Sequence, residues 1–215
     1  MNLSEAEVRV LGTLIEKAYT TPDQYPISTN ALTTACNQKT SRSPVVDYTS
    51  RQVLETMLLL RQQKLARTVT GSSRTEKHKH VVDEAWGLSD KQTAVIAVLA
   101  LRGPQTAAEL RTRTDRYVGF DDAAEVEETL RSLAELDDPF VVSIGRSVGQ
   151  TNERWSHLLQ GEPITTIEVV GRRSPASSGL AARVDELEAR LARLEIAFAA
   201  TSSASAGEDL VEGAE

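Results

Sequence analysis

The sequence predicts a mainly α-helical protein with small β-hairpin wings, arranged as two tandem winged helix-turn-helix domains followed by a C-terminal helix. A set of three helices occurs twice, strand-like sequence follows each third helix, and a heptad pattern lies near the C-terminus. Three helices followed by a hairpin are typical of a winged helix. We therefore expect two such domains, at residues 1–85 and 86–170.

The first helix of each repeat is predicted from a capping box, in which a hydroxyl residue and a Glu or Gln three positions later satisfy free N–H groups. Ser4 with Glu7 begins the first copy and Ser89 with Gln92 begins the second. Apolar residues follow both starts at matching helical spacings. They are Val10, Leu11, Leu14 and Ile15 in one copy, and Val95, Ile96, Leu99 and Ala100 in the other.

The second and third helices also begin at hydroxyl residues. Ser28 precedes one short second helix, and Thr106 precedes the other with Glu109 at capping-box spacing. Thr49 and Gln52 predict a capping box at the start of the third helix in the first repeat. The third helices are the best match between the repeats, because residues 53–57 and 126–130 share the pattern Val-x-Glu-Thr-apolar.

A hairpin is predicted after each third helix. Residues 66–70 lead through a Gly-Ser-Ser turn into a second strand ending near Val82, and residues 140–144 lead through a glycine-containing loop to a strand around Trp155. These hairpins distinguish the pattern from a plain three-helix bundle.

Four stretches carry a resemblance to a known family. They read TPDQYP at 21–26, ACNQKTSRSPV at 35–45, RGPQT at 102–106 and PFVV at 139–142. The chain resembles the YceH-like family of uncharacterised bacterial proteins from about residue 3 to residue 160. The resemblance implies two winged helices in one chain and a bacterial source, and it implies no activity, cofactor or binding site.

The C-terminal region predicts a linker, a helix and a disordered end. Residues 171–179 have the composition of a flexible linker, and residues 200–215 that of a disordered acidic tail. Apolar spacings of four and three across 180–199 predict a coiled coil that forms a homodimer. The alternative is an amphipathic helix packed on its own chain. The expected dimer contacts are Leu180, Val184, Leu187, Leu191, Leu194 and Phe198.

Composition excludes several classes of protein. The chain has 215 residues, 40% hydrophobic and 26% charged, which is an ordinary globular balance. No apolar run is long enough to cross a bilayer and no secretory signal is recognisable, so we expect a cytoplasmic protein. With the single cysteine Cys36, an intramolecular disulfide and a cysteine-rich zinc site are excluded.

Charge separates the two repeats. The net charge is −7 overall, yet residues 39–80 hold nine Lys and Arg against three Asp and Glu, which is +6. Residues 83–171 hold eight against sixteen, which is −8. The two repeats are therefore not expected to bind the same partner.

The basic first repeat predicts contact with double-stranded DNA and a role in transcriptional regulation. The third helix of a winged helix enters the major groove, and its first turn here holds Arg51 and Gln52, which suit guanine and adenine edges. Glu55 opposes this prediction unless it pairs with Arg51. The expected phosphate contacts are Lys39, Arg42, Arg67, Arg74, Lys77 and Lys79.

The acidic second repeat leaves an alternative function open. Its third helix begins with residues 121–128, which include five carboxylates, so it suits a basic protein surface better than DNA. The whole chain would then be a protein-interaction adaptor that does not bind DNA. Tyr117 and Phe120 are either interface anchors or, as we expect, core residues. A further risk to DNA binding is that the second repeat covers the first recognition helix.

Enzymatic chemistry is not expected. The sequence has no phosphate-binding glycine motif and no nucleophile elbow. Cys36 is better explained as a buried apolar residue than as a nucleophile, and the neighbouring pairs Asp121-Asp122 and Asp137-Asp138 as loop and capping residues. His78 and His80 share a strand face, but two ligands do not make a metal site, so a solvated wing is the preferred interpretation. We expect neither a cofactor nor a metal.

Overall fold

The structure is a computed structural model, and it is described for residues 1–70, 76–146 and 152–162. These residues belong to one compact unit, Met1–Thr166. The predicted linker, the coiled-coil helix with its six dimer contacts, the acidic tail and Arg74 lie outside the described residues. Those predictions, and the domain boundaries, stay predictions.

The described residues form a mainly helical protein with two small antiparallel sheets, as the sequence predicts at that level. The first half contains α1 (Glu5–Thr20), β1 (Ile27–Ser28), α2 (Thr29–Cys36), α3 (Ser50–Gln62), β2 (Ala66–Thr70) and β3 (Glu76–His80). A short helix α4 (Val82–Trp86) follows. The second half contains α5 (Asp90–Arg102), β4 (Gln105–Thr106), α6 (Ala107–Thr114), α7 (Ala123–Ala134), β5 (Val141–Gly145) and β6 (Arg154–His157).

The same element order occurs in both halves, which agrees with the internal repeat. The strand orders are β1-β3-β2 and β4-β6-β5, with antiparallel pairing throughout. In each sheet the last strand of the repeat therefore lies in the centre, between its hairpin partner and a two-residue strand that precedes the second helix. This arrangement is consistent with a winged helix in each half.

The helix starts are where local sequence predicts them. Capping boxes form at Ser4, Thr49, Ser89 and Thr106, each with the Glu or Gln three residues later. Ser28 caps α2, and Asp122 caps α7 by accepting from the Glu125 amide at 2.9 Å. The capping role proposed for Asp122 is thus confirmed.

Helices α1 and α5 join the two halves. Leu11 and Leu14 of α1 and Ile96 and Leu99 of α5 are fully buried in one apolar cluster that includes residues of both halves. The helices approach closely at Gly12, where an added Cβ would lie 3.1 Å from Cγ of Leu101. The second half thus covers α1 and leaves the outer side of α3 exposed. The expected risk of a covered recognition helix is not realised in the described residues.

Helix α4 and both two-residue strands are not predicted from the sequence. Five-residue and two-residue elements are too short to show a periodicity, and tertiary pairing forms them. The strand expected to end near Val82 ends at His80, because α4 begins at Val82. Phe120 is buried and Tyr117 packs against the core, so the core interpretation of these two residues is confirmed.

Candidate nucleic-acid interface

Helix α3 has one buried side and one exposed side. Val53, Thr56, Met57 and Leu60 are buried against the core. A helical repeat of 3.6 residues then directs another set of side chains outward. This outer face of α3 is formed by Arg51, Leu54, Glu55, Leu58, Leu59 and Gln62, all of them exposed.

The start of α3 is held in place by α2. Asn37, at the end of α2, donates from Nδ2 to the Tyr48 carbonyl and accepts from the Tyr48 amide, both at 2.8 Å. Thr33 also donates to the Ser50 hydroxyl at 3.4 Å. Because Thr49 is the N-cap of α3, these bonds fix the first turn, in which the predicted base contacts lie.

Arg51 extends from that first turn into solvent. Its side chain is 87% exposed, and its Nε donates to Oε1 of Glu55 at 2.8 Å. This hydrogen bond and the charge of Glu55 raise the pKa of Arg51. An exposed ion pair within one helix is weak, so Arg51 remains available to a ligand. The structure thus shows the Arg51–Glu55 pair that the prediction requires, and the objection to Glu55 is met only while this pair stays formed.

Gln52 is placed less favourably for the predicted contact. Its Oε1 accepts from the Thr49 amide at 2.9 Å and from the Thr49 hydroxyl at 2.8 Å, which completes the capping box. A bidentate contact to adenine uses the same oxygen as an acceptor. Reading adenine with Gln52 would therefore compete with the cap of the helix that carries it.

Arg42 is buried and is not available for a phosphate contact. Its guanidinium donates to both carboxylate oxygens of Glu16, at 2.5 and 3.2 Å, and to the Ala35 carbonyl at 2.9 Å. The prediction for Arg42 is corrected on this ground. From sequence alone, a charged residue in a loop is expected to be solvated. Here Arg42 is buried because it pairs with the carboxylate of Glu16 in α1.

The hairpin of the first half presents cations on its outer side. Arg67 pairs with Lys79 in register, and Lys77 lies on the same face. Alternation places these three side chains opposite the buried Ala66 and His78. Arg67 also forms an exposed ion pair with Glu84 at 2.8 Å. Lys39 is exposed in the loop after α2.

His78 is a core residue and not part of a solvated wing. It is 1% exposed, and its ring nitrogens lie 2.8 Å from the Thr29 hydroxyl and 3.2 Å from the Thr68 hydroxyl. Burial lowers its pKa and that of His80. No group of metal-ligating side chains forms in the described ranges.

The outer face of α3 also carries three leucines that sequence analysis did not single out. Leu54, Leu58 and Leu59 are 39%, 53% and 46% exposed. They lie beside Arg51 on α3, the helix for which the sequence predicts contact with DNA. The sequence alone could have indicated this. Once Val53 and Met57 are assigned to the buried side of the helix, the helical period leaves these three leucines on the outer side.

The corresponding helix of the second half is acidic on its outer side. Asp121, Asp122, Glu127 and Glu128 are exposed at or after the start of α7, and Glu125 pairs with Lys91 of α5. Arg131 pairs with Glu127 at 3.0 Å. This surface repels phosphate.

Cys36 is buried beneath the loop after α2, as expected. Its Sγ lies 3.6 Å from the Thr13 hydroxyl, and burial raises the pKa of the thiol to about 11. A protonated, inaccessible thiol is a poor nucleophile. The absence of enzymatic activity stays a prediction. Within the described ranges, no helix combines the length and apolarity needed to span a membrane.

Comparison with known proteins gives consistent matches. A family model described as "Protein of unknown function, DUF480" matches residues 3–150. A UPF0502 protein of Solibacter usitatus is 44% identical over 200 residues, covering 91% of this chain and 94% of that protein. UPF0502 proteins of Dechloromonas aromatica and Pectobacterium carotovorum are 43% and 41% identical, and the matches cover 89% and 92% of this chain and 92% and 97% of those proteins.

Proposed function

The chain belongs to the DUF480 family, whose relatives are named UPF0502 proteins, and we propose that it is a DNA-binding protein built of two tandem winged helices. The membership agrees with the family resemblance drawn from residues 3–160. The proposed activity is that of a transcriptional regulator, in which the first half contacts double-stranded DNA and the second half does not.

One observation carries the proposal: cations are concentrated on the outer surfaces of the first half, where Arg51 and Arg67 are exposed and Lys77 and Lys79 are half-buried. Arg51 extends from the first turn of α3, and Arg67, Lys77 and Lys79 share the outer face of the hairpin. Arg61 and Lys64, which follow along α3 and its C-terminal turn, are exposed as well. Neighbouring cations such as Arg67 and Lys79 repel each other, and a bound polyanion such as DNA would offset this repulsion.

The division of charge supports a single DNA-binding half. Asp121 and Asp122 lie just before α7 and Glu127 and Glu128 lie on its outer side, whereas the first turn of α3 carries Arg51. Phosphate would be repelled there by several charges. The second half then serves to position the first or to contact a basic partner, and residues 180–198 serve self-association.

A salt-dependent titration tests the proposal. The full chain is titrated into labelled genomic DNA fragments while fluorescence anisotropy is followed at several salt concentrations. If each protomer of a dimer neutralises about three phosphates, the logarithmic salt slope is about −5. Lys77→Glu combined with Lys79→Glu should weaken binding at least tenfold and reduce that slope.

The matched control reverses two charges in the second half, Arg131→Glu with Arg146→Glu, at exposed positions on its third helix and hairpin. This variant has the same change in net charge and should keep most of the affinity. Equal losses in both variants, or wild-type binding no tighter than the non-specific range of about 10⁻⁴ to 10⁻⁶ M, would contradict the proposal.

The exposed leucines of α3 favour a second candidate function, a protein-interaction adaptor. Leu54, Leu58 and Leu59 offer apolar area, and the Arg51–Glu55 pair neutralises charge beside them. In that case the wild type shows no salt-dependent DNA binding, Leu58→Asp removes capture of the protein partner, and the lysine reversals leave that capture unchanged. Self-association is measured by light scattering on the full chain, with Leu187→Asp expected to convert dimer to monomer.

A further inference from the structure

A cleft of about 500 Å³ lies at the start of α1, and none of the residues predicted to contact DNA line it. Its walls come from α1, from the loop between α2 and α3, from the end of α5 and from the segment after β6. Most of the lining is apolar. The residues that matter here are Val8, Arg9, Val46, Tyr48, Pro104 and His157.

Arg9 brings an unusual charge to this cleft. The residue is only 4% exposed, and its Nη2 donates to the Pro44 carbonyl at 2.5 Å. Its Nη1 is buried and has no hydrogen-bond partner. Among the described residues, no carboxylate lies within ion-pair distance of this guanidinium, although Arg42 has Glu16.

A buried cation without a counter-ion is unfavourable, because burial removes the solvation of the charge and nothing replaces it. The pKa of Arg9 is accordingly lowered, first by burial and then by the nearby charge of Arg42. An anion in the cleft would supply both the missing counter-ion and the missing acceptor for Nη1.

His157 adds a second unused polar group. Its Nδ1 is buried without a partner, and burial lowers its pKa to about 4, so the ring is neutral near pH 7. A neutral imidazole carries one N–H donor and one acceptor. Arg9 and His157 both line this mostly apolar cleft, and each has a buried nitrogen without a partner, which indicates a ligand with a small polar head and an apolar body.

Two carboxylates at the cleft limit the charge of that ligand. Glu5 lies one turn before Arg9 on α1, and Glu162 lies on the segment after β6; both are exposed. Glu5 has the spacing of a helical ion pair with Arg9, yet it does not form one here. Two negative charges disfavour a phosphate dianion more than a carboxylate with a single charge.

We propose that this cleft binds a small organic monocarboxylate, with its carboxylate paired to the guanidinium of Arg9, which lines the cleft together with His157, and its apolar body against Val8, Val46 and Tyr48. The site is separate from the proposed DNA contact and does not depend on it.

Matched pairs of carboxylates and amides test the proposal. The full chain is titrated with acetate, benzoate, phenylacetate and indole-3-acetate, and with the uncharged amide of each acid, while binding is followed by calorimetry and by backbone amide NMR shifts. The larger carboxylates should bind at least tenfold more tightly than their amides. The largest shift changes should lie at Val8, Arg9 and Tyr48.

Two variants keep the test decisive. Arg9→Gln keeps one donor and removes the charge, so it should abolish the preference for acid over amide. Val46→Trp fills the cleft and leaves Arg9 in place, so it should weaken every ligand even if the first variant folds poorly. Equal binding of acids and amides, shifts elsewhere in the chain, or no binding by any acid of the series would overturn the proposal.

Discussion

The Tyr117 hydroxyl, in the second half of the chain, donates to Oε1 of Glu16 in α1 at 3.3 Å. The same carboxylate accepts from the Arg42 guanidinium. One buried acidic side chain therefore connects the loop before α3, the first helix and the second half. This connection also explains why Arg42 lies inside although its loop reaches the surface.

Removing the Glu16 carboxylate should destabilise the protein strongly. Glu16→Leu leaves the Arg42 guanidinium buried without its partner, which costs about 3–5 kcal/mol. The free energy of unfolding is measured by urea denaturation. Glu84→Leu, which breaks the exposed pair with Arg67, is the matched control and should change that free energy by no more than about 0.5 kcal/mol. Similar losses in the two variants would show that the buried pair has no special role.

Stability should decrease on acidification partly through His157. Burial lowers its pKa from 6.5 to about 4, so between these values the unfolded chain binds a proton that the folded chain does not. The free energy of unfolding therefore falls as pH decreases from about 7 to 4, by about 3 kcal/mol from this residue.

The measurement compares wild type with His157→Gln, in which that part of the pH dependence should be absent. His78 and His80 also have lowered pKa values. The variant therefore keeps their share of the pH dependence of the free energy of unfolding, and the difference from wild type gives the share of His157. NMR titration of the His157 ring should give no protonation above about pH 5; protonation near 6.5 would refute the assignment.

The close approach of α1 and α5 should not tolerate a branched side chain at Gly12. An added Cβ lies 3.1 Å from Cγ of Leu101 and 3.3 Å from Cβ of Ala100, both in the core. Gly12→Val should therefore cost about 1–3 kcal/mol through overpacking, measured by thermal and urea unfolding. Gly12→Ala is the control, because its gain in helix propensity of about 1 kcal/mol offsets much of the contact. A Val variant as stable as wild type would mean that the two helices move apart easily.

The features that sequence predicted correctly are local ones. A capping box such as Thr49 with Gln52 depends on residues three positions apart, so its geometry follows from the helix itself. The burial of Arg42 and of His78 depends on contacts with Glu16 and Thr29, respectively. These partners are distant in sequence, so no local pattern predicts the contacts. The same limit applies to the cleft, since Arg9 and His157 line it together only after both halves have folded.

The surface charges of the candidate interface are partly predictable from local sequence and partly dependent on contacts that are distant in sequence. Their sign and concentration follow from composition, and alternation along β3 correctly places Lys77 and Lys79 on one face. Which of the cations are already paired does not follow from composition. Arg67 meets Glu84 only because the short helix α4, which sequence analysis missed, places Glu84 beside the hairpin.

The contact of α1 with α5 means that neither half of the chain has a complete core of its own. Each half of the chain retains its own three helices and hairpin, yet the faces that Leu11, Leu14, Ile96 and Leu99 bury are completed by the other half. Separation at α4 would expose both faces to water at once, at about 25 cal/mol for each Å² of apolar area. We therefore expect the two halves to unfold in a single cooperative transition.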